Sequence, residues 1–256
     1  MRAINSFATH APKSEWLSAF FNDKEAFFEA NSLGPDQQVK FKVFLADAEL
    51  SKKNHFSPFA ELIDSIGWET ETALGLILIN LVAENPQTKW YVKNLEINHP
   101  YTRKNTIDML LLDGLLETPA KFVTNAYKRI VETPLGTVLH FGHVTDDGEL
   151  VRTKCSVSDL RVVLYGLFKF AEKCNDYKEF TLATLLNDSI DRDGISPTRI
   201  FGLDRDEMIP ILLGLSAKYP EFITASFTHD LEKITLADDK SSQDVLNLFR
   251  RDNGNA

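Results

Sequence analysis

The sequence predicts a mainly α protein with small β-hairpins, in which N-terminal helices precede two winged-helix-like units. Three observations carry this. Apolar residues recur at helical spacing along most of the chain. Two pairs of β-rich runs each close a series of helices. A chain of 256 residues with 43% hydrophobic content and 18 phenylalanines has enough apolar volume for packed cores. The divisions read from this pattern are 1–56 for the N-terminal helical segment, 57–156 and 157–237 for the two units, and 238–256 for a C-terminal tail.

In chain order, Trp16, Leu17, Phe20, Phe21, Phe27 and Phe28 place one helix over 14–30, with Ser14 as its cap. Leu33-Gly34-Pro35 breaks the chain, and a second helix runs over 35–50. Ser51-Lys52-Lys53-Asn54 reads as a polar link before Ser57-Pro58 restarts a helix. The first unit then has an apolar helix over 70–83, a connection, a short helix from Thr102, and a helix over 119–132 that Thr118 caps and Pro119 opens. A hairpin comes next, with strands over 137–144 and 149–155 joined by Asp146-Asp147-Gly148. The second unit repeats the order: helices over 159–174 and 181–186, a polar loop from Asn187 to Gly194, a helix over 204–218, and strands over 222–228 and 231–236. A helical bundle with two surface hairpins is the alternative arrangement for the same elements. In the tail, Val245, Leu246, Leu248 and Phe249 mark a short helix, and 250–256 is expected to fray.

Charge narrows the function classes. With 37 acidic and 28 basic residues the net charge is −9, so nucleic acid would have to meet a local basic face rather than a global field. The two cysteines, Cys155 and Cys174, form no Cys-x-x-Cys pair, which points to a reducing, cytoplasmic setting with both thiols as buried small hydrophobes. The N-terminus has no apolar signal region. The longest apolar stretch, over 73–83, is far below the ~20 residues that span a bilayer, so no membrane role is expected.

The segment over 119–132 carries the candidate site. Phe122, Val123, Ala126, Tyr127, Ile130 and Val131 form an apolar face, leaving Lys121, Thr124, Asn125, Lys128 and Arg129 on the other. The third helix of a winged unit enters the major groove, where such side chains reach bases and phosphates. Arg103 and Lys104 would touch the backbone from the preceding helix, and Arg152 and Lys154 from the wing. The plainer reading is a solvated helix face, and Asp108, Asp113, Glu117, Asp146, Asp147 and Glu149 cancel much of its field. In the second unit Asp204, Asp206 and Glu207 would repel phosphate, which suggests packing or protein contact there. His140 and His143, three apart in a strand, point to opposite faces and make a poor metal pair. Asp191-Arg192-Asp193-Gly194 fails as a calcium loop because Ile200 falls where the bidentate glutamate belongs. The sequence groups no nucleophile with a base, and no cofactor or metal is expected.

Several strings carry a family resemblance: Glu15-Trp16-Leu17 with Phe20-Phe21, Gly67-Trp68-Glu69-Thr70-Glu71-Thr72-Ala73, Trp90-Tyr91-Val92-Lys93-Asn94, Tyr165-Gly166-Leu167-Phe168-Lys169-Phe170-Ala171-Glu172, Ser196-Pro197-Thr198-Arg199-Ile200-Phe201-Gly202-Leu203-Asp204-Arg205, and Asp239-Lys240-Ser241-Ser242. Over nearly its whole length the chain resembles the C-terminal module of long bacterial phosphoadenosine-phosphosulfate-reductase-like proteins, a domain of unknown function. A reductase of that class carries a Ser-Gly-Gly-Lys-Asp-Ser type loop, which this chain lacks, as it lacks the cysteines of an iron–sulfur centre. The resemblance therefore implies association with sulfur-transfer or DNA sulfur-modification machinery, without that chemistry. The expected function is a non-catalytic accessory module that binds double-stranded DNA through its first winged unit. The alternative is a protein-interaction module that docks a reductase-like sulfur-transfer enzyme or a nuclease.

Overall fold

The computed structural model describes residues 4–7, 10–187, 192–228 and 231–253. The chain divides into two compact units, Met1–Ser156 and Val157–Ala256. Both are mainly helical, with small antiparallel strand pairs.

The first unit opens with α1 (Ser14–Asp23), α2 (Ala26–Glu29), α3 (Pro35–Asp47), the short pair β1 (Ser51–Lys52) and β2 (His55–Phe56), and α4 (Pro58–Ile66). The helix expected over 14–30 is broken in two at Lys24, whose positive φ ends α1. Ser14 is the first helical residue rather than the cap; Lys13 holds that position without a side-chain bond. Ser51-Lys52-Lys53-Asn54, expected to be a plain link, is part of a tight hairpin: Lys53 and Asn54 both adopt positive φ, as a two-residue turn between strands requires. Ser57 caps α4 by accepting from Ala60 N at 2.9 Å, and Pro58 sits in the first turn where its missing N–H costs nothing.

The segment 1–56 shares a core with later residues of the same unit. Phe20 packs edge-on to Phe21, Phe27, Phe28 and Phe41, and Phe21 stacks on Trp68 at 5.2 Å. Each such ring contributes about 1.5–3 kcal/mol of burial. Phe7 N donates to Gln87 Oε1 at 2.9 Å, and Asn85 Nδ2 donates to the buried Asp47 at 2.7 Å and to Ser6 Oγ. Residues 1–56 therefore belong to the first unit and do not stand apart.

The rest of that unit comprises α5 (Glu71–Glu84), α6 (Pro86–Asn94), β3 (Pro100–Tyr101), α7 (Arg103–Leu112), α8 (Glu117–Ile130), α9 (Pro134–Thr137), β4 (Gly142–Val144) and β5 (Leu150–Arg152). All residues from Ala73 to Val82 are buried, so α5 is a central helix surrounded by others. Helix α6 occupies the expected connection; Asn85 caps it by accepting from Gln87 N and Thr88 N. Strand β3 is also new. It joins the hairpin in a three-stranded antiparallel sheet of order β3-β5-β4. The hairpin strands are shorter than expected, because 134–137 is helical and His140 takes a positive φ. Gly148, at φ 77°, makes the turn.

The second unit runs α10 (Leu160–Lys173), β6 (Glu179–Phe180), α11 (Leu182–Leu186), α12 (Pro197–Phe201), α13 (Arg205–Lys218), β7 (Ile223–Thr228), β8 (Leu231–Leu236) and α14 (Ser242–Asn253). Its sheet has the order β6-β8-β7, matching the first unit strand for strand. Helix α12 is an addition to the expected elements, although its signals are local: Ser196 caps it, Pro197 opens it and Gly202 ends it in the left-handed region. The tail helix is longer than expected, with Ser242 held by the Glu172 carboxylate. Part of the 187–194 segment, including Asp191, lies outside the described residues, as do residues 229–230 and the last three residues of the tail.

Candidate nucleic-acid interface

Helix α8 presents the predicted basic face, rotated from its expected orientation. Ala120, Val123, Thr124, Ala126, Tyr127 and Ile130 are the buried positions. Thr124, expected on the polar side, is fully buried and its hydroxyl donates to Ala120 O at 2.9 Å. Phe122, expected in the core, is 39% exposed. A hydroxyl that bonds back to the preceding turn can be buried, whereas an apolar stripe drawn from composition alone assigns it to solvent. Lys121, Asn125, Lys128 and Arg129 do reach the surface together with Phe122.

Each basic side chain has local work. Lys121 pairs with Glu117 at 2.5 Å, and that bond holds the Glu117 carboxyl below the usual range. Lys128 Nζ donates to Gly148 O, tying α8 to the hairpin turn beside Asp146, Asp147 and Glu149. Lys128 and Arg129 also lie in the last turn of α8, where positive charge suits the helix dipole. Arg103 and Lys104 are exposed at the start of α7, whose cap is a reciprocal box between Thr102 and Asn105. Lys154 is exposed just beyond β5.

Arg152 is a correction. It is 2% exposed, and its guanidinium donates to Val92 O at 2.7 Å and Leu95 O at 2.9 Å, the carbonyls that end α6. A cation at a helix C-terminus satisfies carbonyls that have no partner within the helix. Arg152 therefore holds the fold together and does not reach a ligand. The contact expected of it from the wing is not open to it, because β5 is the central strand and is buried on both faces.

Around it lies a buried polar cluster that the sequence does not show. Burial raises the Tyr91 and Tyr127 hydroxyls far above their ordinary range and pushes the Cys155 thiol up to about 12, the Arg152 charge opposing the shift at Tyr91 and Cys155. Tyr127 donates to Gln87 O at 2.8 Å. Cys155 is buried as expected, while Cys174 is only half-buried. His143 lies in β4, but His140 lies outside it, and its Nδ1 is 2.7 Å from Ser156 Oγ. With Ser156 N donating to Leu139 O and Thr153 Oγ1 to His140 O, that contact closes the base of the hairpin. Among the described residues, no group of three or more His, Cys, Asp or Glu stands together as a metal site, and no helix is long and apolar enough to cross a membrane.

The turn between α7 and α8 carries a second unforeseen feature. Leu111, Leu112 and Leu116 are exposed, Leu112 by 87% and Leu116 by 76%, and Phe122 follows on α8. In the second unit, the equivalent helix α13 begins with a box between Asp204 and Glu207, and Arg205 pairs with Glu232 on β8. Leu213 is exposed on α13.

No family model matches the chain, and no curated protein matches it at a significant level. Among solved structures it is similar to that of a protein named SspB, with a TM-score of 0.70 and 14% identity over 98% of this chain and 88% of that one. At that identity the likeness is one of fold.

Proposed function

We propose that this chain is a non-catalytic accessory module of the cytoplasm that binds double-stranded DNA through its first unit, in association with sulfur-transfer or DNA sulfur-modification and defence machinery. The observation that supports the DNA reading is the order of elements from α6 to β5. Helix, strand, two helices and two strands, with the first strand paired to the last, is the arrangement of a winged helix-turn-helix, to which this chain adds the single turn of α9 before the hairpin. Helix α8 takes the place of the helix that enters the major groove, with Lys121, Asn125, Lys128 and Arg129 on its open face. Arg103 and Lys104 stand where the preceding helix meets phosphate, and Lys154 lies at the end of the wing. Arg152 is withdrawn from the set. The sulfur-modification context comes from the family resemblance, and the fold likeness to SspB is in keeping with it.

The test is fluorescence anisotropy of the full chain with a labelled duplex over a salt series. Binding falls with salt in proportion to the phosphates contacted. Absence of duplex binding by the wild type at low salt overturns the reading.

The exposed group of Leu111, Leu112, Leu116 and Phe122 favours a second reading, a module that docks a reductase-like sulfur-transfer protein or a nuclease. Co-purification with such a partner, lost in Leu112→Asp/Leu116→Asp, supports it. Retention of the partner by that variant counts against it.

A further inference from the structure

The second unit contains a cavity of about 480 Å³ beyond the C-terminal end of α10. That lies within the ~300–1,000 Å³ of sites that take small molecules. Phe170, Phe180 and Tyr177 form an aromatic wall, with ring centroids 5.3 Å apart for Phe170 and Phe180 and 5.8 Å for Tyr177 and Phe180. The first two are buried, but Tyr177 is 60% exposed, an aromatic face held open to solvent at the rim.

Its position is fixed from both sides. Asn175 and Asp176 take left-handed φ values of 59° and 58° in succession, which Asn and Asp tolerate better than most residues, and this turn delivers Tyr177 to the rim. On its other side the Lys178 ammonium is anchored by Asp238 O at 2.9 Å and Lys240 O at 3.0 Å. The opposite wall is equally set. The Arg192 guanidinium lies 4.8 Å over the Phe170 ring and donates to Thr184 O and Asn187 O. Gly194 packs so closely that a Cβ there would lie 2.8 Å from both Cys174 Sγ and Phe170 O.

The chemistry of the lining selects the ligand. The exposed Tyr177 ring, backed by Phe180 and Phe170, suits a flat aromatic group, and Asn175 adds a polar residue to the lining. Among the described lining residues, Lys173 and Arg192 are the basic groups and Asp193 the acidic one. A neutral planar ring on an anionic backbone meets all of these. We propose that this cavity takes one nucleobase of an unpaired DNA strand, stacked on Tyr177, with the flanking phosphodiesters beside Lys173 and Arg192. The site is independent of the duplex reading of the first unit.

The test uses the full chain, a labelled oligothymidylate and an abasic strand of the same length, read by anisotropy. Tyr177→Ala weakens oligothymidylate binding about fivefold to a hundredfold, the range for losing one stacked base, and Tyr177→Phe retains it. The wild type binds the abasic strand as weakly as Tyr177→Ala binds the intact one. Tyr177 is exposed, so its replacement leaves the fold intact. Unchanged affinity in Tyr177→Ala, equal binding of intact and abasic strands by the wild type, or no binding of the intact strand overturns the proposal. Oligothymidylate binding that survives Lys128→Glu/Arg129→Glu supports it and separates this site from the duplex interface.

Discussion

The two units share a strand order, β3-β5-β4 in one and β6-β8-β7 in the other, but present different surfaces on the helix that precedes the hairpin. Helix α8 carries Lys121, Lys128 and Arg129 with acids at its two ends, Glu117 and Glu132. Helix α13 begins with Asp204, Asp206 and Glu207, and its Arg205 is engaged by Glu232. The aromatic cavity belongs to the second unit, and the group of exposed leucines to the first. Topology is set by buried positions and turn residues, whereas exposed side chains are free to differ because they contribute little to stability. A shared strand order therefore does not by itself imply a shared ligand.

Substitutions in the two units should differ in effect, the largest being at Arg152. Arg152→Ala leaves the Val92 and Leu95 carbonyls buried without their donor and lowers the unfolding free energy by about 3 kcal/mol in a urea titration. The folded fraction should keep its duplex affinity; a pure loss of affinity with unchanged stability would return Arg152 to the interface. Next is Lys128→Glu/Arg129→Glu, which reduces duplex affinity at least tenfold and lowers the salt slope by about two. The matching reversal on α13, Arg205→Glu, changes duplex binding little, and an equal loss there would erase the distinction between the units.

A pH titration probes the buried cluster of the first unit. The Cys155 pKa is raised by burial, so the neutral thiol favours the folded state. Its stabilisation is complete below the unfolded thiol's pKa of 9.0 and is lost as pH rises towards 12. In Cys155→Ala the alkaline decline begins later, where Tyr91 and Tyr127 start to ionise in the unfolded chain; an unchanged onset would mean the thiol contributes nothing. The smallest effect concerns the hairpin turn. Asp146→Asn/Asp147→Asn strengthens duplex binding a few-fold at low salt by removing two charges beside Lys128, and the gain fades as salt screens them.

Much of the fold was legible from residues that act locally. Thr70, Thr102, Thr181 and Asp204 cap the helices they precede, because a side-chain oxygen reaches an N–H two or three residues on. The turn at Gly148 rests on that residue's tolerance of positive φ. By contrast, β3 and β6 have two residues each and exist only through pairing with β5 and β8, so no periodicity could reveal them. Of the candidate site, the basic side chains of α8 were readable from helical spacing, while the burial of Thr124 and the exposure of Phe122 were not.

The helix-rich class, the turn at Gly148 and the basic character of the 119–132 segment can be read from the chain alone, because each rests on contacts within a few residues. The folded chain alone brings Arg152 to the end of α6 from sixty residues away, sets Tyr177 open beside a cavity, and leaves Leu112 and Leu116 largely exposed at the approach to α8. The reason is the range of the interactions. Caps and turns are closed by neighbours in sequence, whereas burial and cavities are made by residues that only the folded chain brings together.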